Sequence, residues 1–296
     1  MERSVRAAGR WYFACLTALM ASLGAAPPKL APPKLAPLKL AIVQAVLHDQ
    51  REDAPAISSS YRYVAGEVLY LSYRVSGYTV KDDTIDLRWQ MYLTDPDGLL
   101  LAPIEDGAFK VEVSFNDKDW LPKVDHAIPL PPQLYTGDYV IHLRVSDEKA
   151  RATVEQTVPF RVRGRTKEKL EGIQLRGLRF YRGEDDPTPL DPVSYHPGAT
   201  VWARFEMAGY QIGEKNAYDV EYGLAVYRPS RELLYEQAIA ANEHDTPFYP
   251  KFWLMGGFSL NLGADLSPGE YTVKVQARDK LAKTTGEQSA TFQVKN

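Results

Sequence analysis

The chain has 296 residues, of which 45% are hydrophobic and 11% aromatic, and a net charge of −3 at pH 7. This apolar content is sufficient for packed cores and excludes a disordered chain, while the length predicts more than one domain. The mildly acidic, evenly spread charge argues against a nucleic-acid-binding protein.

The first 25 residues have the order of a secretory signal peptide. Three arginines precede an apolar run at 11–23, and small residues follow at 24–26. We expect cleavage near 24–26 and a periplasmic or extracellular location. Two alternatives stay open: an uncleaved membrane anchor, although the run is short for a span, and lipid attachment at Cys15, which lies inside the run. Cleavage would leave a chain of about −5 charge without cysteine, so that core burial must hold it together.

Residues 26–40 form a low-complexity spacer of proline, lysine and leucine. Ala-Pro-Pro-Lys-Leu occurs twice and Ala-Pro-Leu-Lys-Leu once. Proline at this density blocks helix and sheet pairing and favours extended polyproline II. The segment is interpreted as a semi-rigid spacer, or alternatively as a slippage tract that binds no partner.

An internal duplication organises the rest of the chain. Residues 137–162 and 269–294 align without a gap at an offset of 132 and share nine of 26 residues. Such self-similarity indicates repeated structural units. The match extends upstream, with a shift to an offset of 133 between 210 and 253, so each unit spans about 125 residues.

Apolar and polar side chains alternate along most of each unit, as in half-buried antiparallel strands. The best example is the strand opened by Gly66, whose counterpart is opened by Gly198. Its predicted inward residues are Leu69, Leu71, Tyr73 and Val75, matched by Val201, Ala203, Phe205 and Met207. With no convincing helix pattern, the sequence predicts an all-β protein of two tandem antiparallel sandwiches, 41–163 and 170–296, joined by a charged linker at 164–169.

Two kinds of turn recur in both units. Asp95-Pro96-Asp97-Gly98 has the composition of a hairpin reversal and aligns with residues 228–231. Asp147 and Asp279 end equivalent strands, and their recurrence predicts a structural role as acceptors of backbone hydrogen bonds in the turn that follows.

The motifs Leu134-x-x-Gly137-x-Tyr139-x-Ile141 and Leu266-x-x-Gly269-x-Tyr271-x-Val273 resemble the penultimate strand of bacterial immunoglobulin-like or fibronectin type III-like domains. The resemblance implies a tyrosine corner at Tyr139 and Tyr271 and a core tryptophan at Trp89, which Tyr222 replaces in the second unit. The two disulfide cysteines of immunoglobulin domains are absent, and Ile141 or Val273 stands at one of those places. Similar tandem units serve as spacers, adhesive modules and accessory binding domains, so fold alone selects none of these roles.

No catalytic or metal-binding motif stands out. Ser259 lacks the glycine pattern of a nucleophile elbow, and the five histidines are scattered without a two-histidine metal spacing. Three acidic runs could each contribute to calcium binding, but their spacing fits solvated turns better. These runs are Asp82-Asp83, Asp117-x-Asp119 and Glu184-Asp185-Asp186. We expect no metal, no cofactor and no enzymatic activity.

Aromatic residues offer the strongest candidates for ligand binding. Tyr249, Phe252 and Trp253 crowd the segment 248–253, and Trp202 is predicted on an outward strand position. Exposed rings stack on sugar faces or anchor a protein partner, whereas the alternative is that they cap a core or fill the interface between the two units. The sequence therefore predicts an exported, non-catalytic binding or scaffold protein with a protein or cell-envelope glycan partner, and alternatively a carbohydrate-binding accessory module that uses the segment 248–253.

Overall fold

The computed structural model describes residues 39–51, 54–114, 117 and 119–295. The predicted signal peptide and residues 26–38 of the predicted spacer lie outside them. The described chain is all-β, as the alternation predicts, and a 3-10 turn at Glu214–Asn216 interrupts the strands of its second half. Within this part of the chain no helix is both long and apolar enough to cross a bilayer.

The strands of the first half are β1 (Ala41–His48), β2 (Tyr63–Val64), β3 (Val68–Ser76), β4 (Thr84–Thr94), β5 (Glu105–Glu112), β6 (Lys123–Pro129), β7 (Gly137–Asp147) and β8 (Ala152–Arg163). Those of the second half are β9 (Gln174–Tyr181), β10 (Ser194–Tyr195), β11 (Thr200–Ala208), β12 (Tyr218–Tyr227), β13 (Leu233–Asp245), β14 (Trp253–Asn261), β15 (Gly269–Asp279) and β16 (Thr285–Val294).

Each half combines a three-stranded and a five-stranded sheet. In the first half the sheet orders are β1-β3-β6 and β2-β8-β7-β4-β5, and in the second they are β9-β11-β14 and β10-β16-β15-β12-β13. Both halves therefore have the same strand order, with a two-residue parallel pairing at one edge of the larger sheet. We call the two packed units the first and the second sandwich.

The faces of the strands follow the predicted alternation. The eight residues predicted to point inward from β3 and β11 are all buried, at most 2% exposed. Each sandwich encloses its own apolar cluster, formed between its two sheets. Leu40, at the end of the predicted spacer, is only 6% exposed and belongs to the first core.

Two tyrosine hydroxyls and two aspartates fix equivalent corners of the sandwiches. The Tyr139 hydroxyl donates to the carbonyl of Tyr135 at 2.8 Å, and the Tyr271 hydroxyl donates to that of Ser267 at 2.9 Å. Oδ1 of Asp147 accepts from the backbone N–H groups two and three residues on, at 2.9 and 3.1 Å. Oδ1 of Asp279 does the same at the same distances, which confirms the predicted turn role of both aspartates.

Candidate functional site

The aromatic segment 248–253 lies where the two sandwiches meet. It follows the end of β13 and runs into β14, so it belongs to the second sandwich by sequence. Tyr249 is nevertheless part of the first core, and Phe252 packs against that core. The segment is thus shared between the sandwiches, whereas Phe248 points to solvent. We call this contact region the junction.

Tyr249 is enclosed within the junction and only 8% exposed. Its hydroxyl donates a hydrogen bond to Oδ2 of Asp95 at 3.0 Å, across 154 residues of chain. Burial, and next the adjacent Asp95 carboxylate, raise the pKa of Tyr249, so the phenol stays protonated and remains a donor. A ring held in this way presents no open face on which a sugar could stack. Tyr249 therefore lies in the interface between the sandwiches and not on a solvent-exposed binding surface.

Gln133 connects the same segment to the first sandwich through its backbone. Oε1 of Gln133 accepts from the N–H of Phe252 at 2.8 Å, and Nε2 donates to the carbonyl of Trp253 at 2.9 Å. The Phe252 ring lies 4.8 Å from that of Tyr135, between centroids. One glutamine side chain therefore satisfies both a donor and an acceptor on the segment, much as a neighbouring strand would.

The predicted linker carries charges that reach both sandwiches. Arg165 lies over the Trp253 ring, 4.2 Å from its centroid, and forms an ion pair with Glu206 on β11. Lys167 pairs with Asp97 in the first sandwich, at 2.5 Å. These contacts border a groove of about 200 Å³ between the sandwiches. Trp253 is half-buried there, with one face occupied by the Arg165 guanidinium.

Trp202 does not join the other three predicted ligand residues. It lies half-buried on the outer side of β11, whereas Trp253 pairs with Ala208 at the other end of that strand. Six residues of strand separate Trp202 from Ala208, or about 20 Å. The structure therefore brings Tyr249, Phe252 and Trp253 together at the junction and leaves Trp202 apart, where a ligand role stays a prediction.

Sequence reasoning missed the residues that receive the aromatic segment. Asp95, Gln133 and Arg165 complete the junction. Asp95 belongs to a predicted turn and Arg165 to the predicted linker, but neither pattern indicates a contact with the aromatic segment. A signal does exist in the repeat, because Arg228 replaces Asp95 and Asp265 replaces Gln133 in the second unit. Divergence inside an otherwise matched repeat marks positions whose surroundings differ.

A metal site receives no geometric support from the described residues. No group of three or more histidine, cysteine or carboxylate side chains is placed there to hold a metal ion. The three acidic runs are described except for residue 118, and they fall in turns and loops between strands.

A larger groove lies at the end of the second sandwich that is equivalent to the junction end of the first. Its volume is about 530 Å³, and Val226, Leu234, Leu262 and Leu266 form its apolar part. Tyr235, Arg228 and Asp265 border it. We call it the end groove. Val226 and Leu262 at its base are only 3% and 8% exposed, whereas Leu234 and Leu266 are half-buried.

No protein-family model matches the chain, and no curated protein matches it. Among solved structures, the chain is similar to a red sea bream transglutaminase with 10% sequence identity and a TM-score of 0.25. The match covers 89% of this chain and 32% of the transglutaminase chain. The chain thus spans about a third of that protein's length, and a similarity this low supports no statement about function.

Proposed function

We propose that the chain is an exported, non-catalytic scaffold protein in which two immunoglobulin-like sandwiches, produced by internal duplication, hold binding surfaces at a fixed separation. The leader at 1–25 supports export to the periplasm or the extracellular space. The nine shared residues, the common strand order and the paired hydrogen bonds of Tyr139 and Tyr271 support duplicated immunoglobulin-like units.

The observation that carries the scaffold role is the junction. Interfaces between domains of one chain are commonly polar, and relative motion is the default unless the interface is apolar and well packed. Here Tyr249 lies within the first core, and its hydroxyl is bonded to Asp95. Gln133 adds two short hydrogen bonds to the backbone of the same segment. An anchor of this kind restrains both bending and rotation between the sandwiches.

A distance measurement between the two sandwiches tests the proposal. Spin labels at Val111→Cys on β5 and Ile239→Cys on β13, in a Cys15→Ser background, occupy exposed positions on edge strands of different sandwiches. We expect a single narrow distance distribution by pulsed electron paramagnetic resonance. Tyr249→Ala should broaden it, because the ring and its hydrogen bond to Asp95 are removed.

The matched control is Tyr235→Ala, which removes an exposed tyrosine outside the junction and should leave the distribution narrow. A broad distribution in the unmodified protein would contradict a fixed separation, even if both sandwiches are folded.

A further inference from the structure

The smaller sheet of the second sandwich is narrower than the larger sheet that it covers. β9 packs against β16, and at the other side the Tyr222 hydroxyl on β12 donates to the carbonyl of Gly257 on β14 at 2.7 Å. Strand β13, the next strand beyond β12, therefore has no strand opposite it among the described residues. Tyr235 of β13 pairs with the buried Val226 of β12 and so points to the inner side of the sheet, yet it is 45% exposed. The end groove lies in this uncovered space between β13 and β14.

The backbone of β14 points alternately towards β11 and towards the uncovered space. The N–H of Leu262 donates to the carbonyl of Ala199 at 2.9 Å, at the start of the antiparallel ladder between the two strands. Because hydrogen-bonded and non-hydrogen-bonded pairs alternate in such a ladder, every second residue from 253 to 261 directs its N–H and carbonyl away from β11.

Side chains satisfy only some of these outward backbone groups. Gln133 bonds the N–H and the carbonyl of Trp253, and the Tyr222 hydroxyl bonds both groups of Gly257. In the described part of the chain the remaining outward groups have no hydrogen-bond partner. They belong to Met255, Ser259 and Asn261, and the last two line the end groove. A free edge beside an apolar groove is the geometry that strand addition uses.

The equivalent edge of the first sandwich is blocked against another strand. The ladder of β6 against β3 places Lys123, Asp125 and Pro129 where the ladder of β14 against β11 places Met255, Gly257 and Asn261. Charges and proline on an edge strand prevent pairing, because an added strand would desolvate the charges and proline has no N–H to donate. Strand β14 contains no charged residue and no proline.

A side-chain contact also closes the gap in the first sandwich, and the second sandwich cannot form it. Nδ1 of His126 on β6 lies 3.0 Å from Oε2 of Glu105 on β5. Phe258 and Gln237 stand at the equivalent places of the second sandwich, and a phenylalanine ring has no hydrogen-bonding atom. Gln237 forms its hydrogen bonds within its own strand. The two copies of the repeat thus differ in that one has a closed edge and the other an open one.

From these observations we infer that the second sandwich binds one extended peptide strand of a partner protein beside β14. The strand pairs with the free backbone groups of Ser259 and Asn261, and its side chains at alternate positions cover the end groove. Those side chains are apolar, because they meet the apolar base of the groove at Val226 and Leu262, whereas the intervening side chains face solvent.

The space fits a single strand and not the edge of a second copy. An added strand lies about 4.8 Å from β14, in the layer above β13. A second copy that paired antiparallel through its own β14 would bring its own projecting β13 into the space that β13 of the first copy occupies. The partner is therefore an extended segment that stands clear of any sandwich of its own. The inference rests on the proposed scaffold function, to which it adds the class of partner.

A library of random nine-residue peptides displayed on phage is the probe that tests this site. We expect selection on the full chain to enrich peptides that lack proline and carry apolar residues at every second position. Fluorescence anisotropy of an enriched peptide should show binding that is weakened by roughly tenfold or more in Met255→Lys/Asn261→Pro, which introduces the residues of the first sandwich. Tyr235→Glu is a second variant, since it places a charge on the inner side of β13.

Val111→Lys is the matched control, because it introduces the same charge on an exposed apolar residue of an edge strand in the first sandwich. This variant should bind the enriched peptide as the unmodified chain does. Proline at the two central positions of the peptide should abolish binding, because it removes backbone donors. Unchanged circular dichroism and melting temperature establish that each variant is folded.

Three results would overturn the inference: a selection that enriches no peptide or only peptides without alternation, equal binding to the unmodified chain and both variants, or self-association that Met255→Lys/Asn261→Pro abolishes. The last result would identify a second copy as the occupant. None of them affects the spin-label distance within one molecule. Failure of strand binding is therefore distinguishable from failure of the fixed separation on which the scaffold proposal depends.

Discussion

The titratable ring of His126 is buried at one edge of the first sandwich. It is buried on β6, and its Nδ1 lies 3.0 Å from Oε2 of Glu105 on β5, so the pair links the edge strands of the two sheets. Trp89 and Tyr73 pack against the ring, with centroids 5.0 and 5.9 Å away. Among the described residues, Nε2 is buried without a hydrogen-bond partner. A proton placed there would find no acceptor.

The pH dependence of stability follows from this environment. Burial lowers the pKa of His126 below its ordinary 6.5, and the opposing effects of Glu105 and Asp125 do not cancel it. As the pH falls, His126 therefore takes up a proton in the unfolded chain before it does so in the folded chain. The contribution of His126 to stability is fully present above about pH 6.5 and decreases as the pH falls below that value. We expect His126→Phe to reduce the loss of unfolding free energy between about pH 7 and about pH 5.

Urea denaturation at a series of pH values measures this difference. Phe is the natural choice because Phe258 stands at the equivalent position of the second sandwich, packed near Phe205. Parallel curves of unfolding free energy against pH for the two proteins would show that His126 does not carry the effect.

Asp147 and Asp279 show which contacts of a single residue can be predicted from the sequence. Their recurrence at strand ends predicted the local turn bonds, which depend on only two or three following residues. Each Oδ2 also accepts, at 2.7 Å, from a backbone N–H 68 residues earlier, on Thr79 or Gln211. That second contact was not predictable, because it depends on which loops the sandwich brings together rather than on local spacing.

Strand β13 departs from regular pairing in a way that its own sequence does not indicate. It is an edge strand, and its register against β12 shifts between Tyr222 and Leu224. The extra residues form a bulge that leaves Ile239 55% exposed. Arg278 donates to the carbonyl of Ala238 in this bulge and is held at 2.8 Å by Glu221. Irregular edges of this kind resist pairing with other strands.

Gly223 permits the bulge. A Cβ at this position would lie 2.2 Å from the carbonyl oxygen of Ala238, which is backbone and cannot turn aside. We expect Gly223→Ala to lower the free energy of unfolding by about 2 kcal/mol, the usual cost of forcing an extra group into a packed site. Chemical denaturation of the two proteins measures the change.

Gly183→Ala is the matched control, because no heavy atom lies within 4 Å of the Cβ it would add. Equal denaturation midpoints for Gly223→Ala and Gly183→Ala would indicate that the bulge relaxes at no cost.

Strands and connections differ in how well the sequence predicts them. Alternation is a property of the strand itself, so the inward residues of β3 and β11 could be identified before any partner was known. The placement of the segment 248–253 depends on Asp95 and Gln133, which lie more than a hundred residues away in the chain. Its composition was compatible with both an exposed ligand site and an interface, and only the packing distinguishes them.

At the scale of the whole molecule, the junction makes the two cores interdependent. Unfolding of the second sandwich would withdraw Tyr249 and Phe252 from the first core and expose the apolar side chains packed against them. Each buried side chain of this size contributes about 1.5–3 kcal/mol. The first sandwich therefore loses stability when the second unfolds, which favours a single cooperative transition over two independent ones.

Removing the polar anchor should separate the two transitions. Gln133→Ala deletes the acceptor for the Phe252 N–H and the donor for the Trp253 carbonyl, so two hydrogen bonds across the junction are lost. Each group that loses its hydrogen bond lowers the stability of the folded chain by about 1–3 kcal/mol. The loss weakens the contact between the sandwiches and leaves the packing within each core unchanged. Scanning calorimetry should show one transition for the unmodified chain and a broadened or double transition for Gln133→Ala.

Gln90→Ala removes an exposed glutamine of β4 and should keep the single peak, because it leaves the junction intact. Two resolved transitions in the unmodified chain would show that the sandwiches unfold independently.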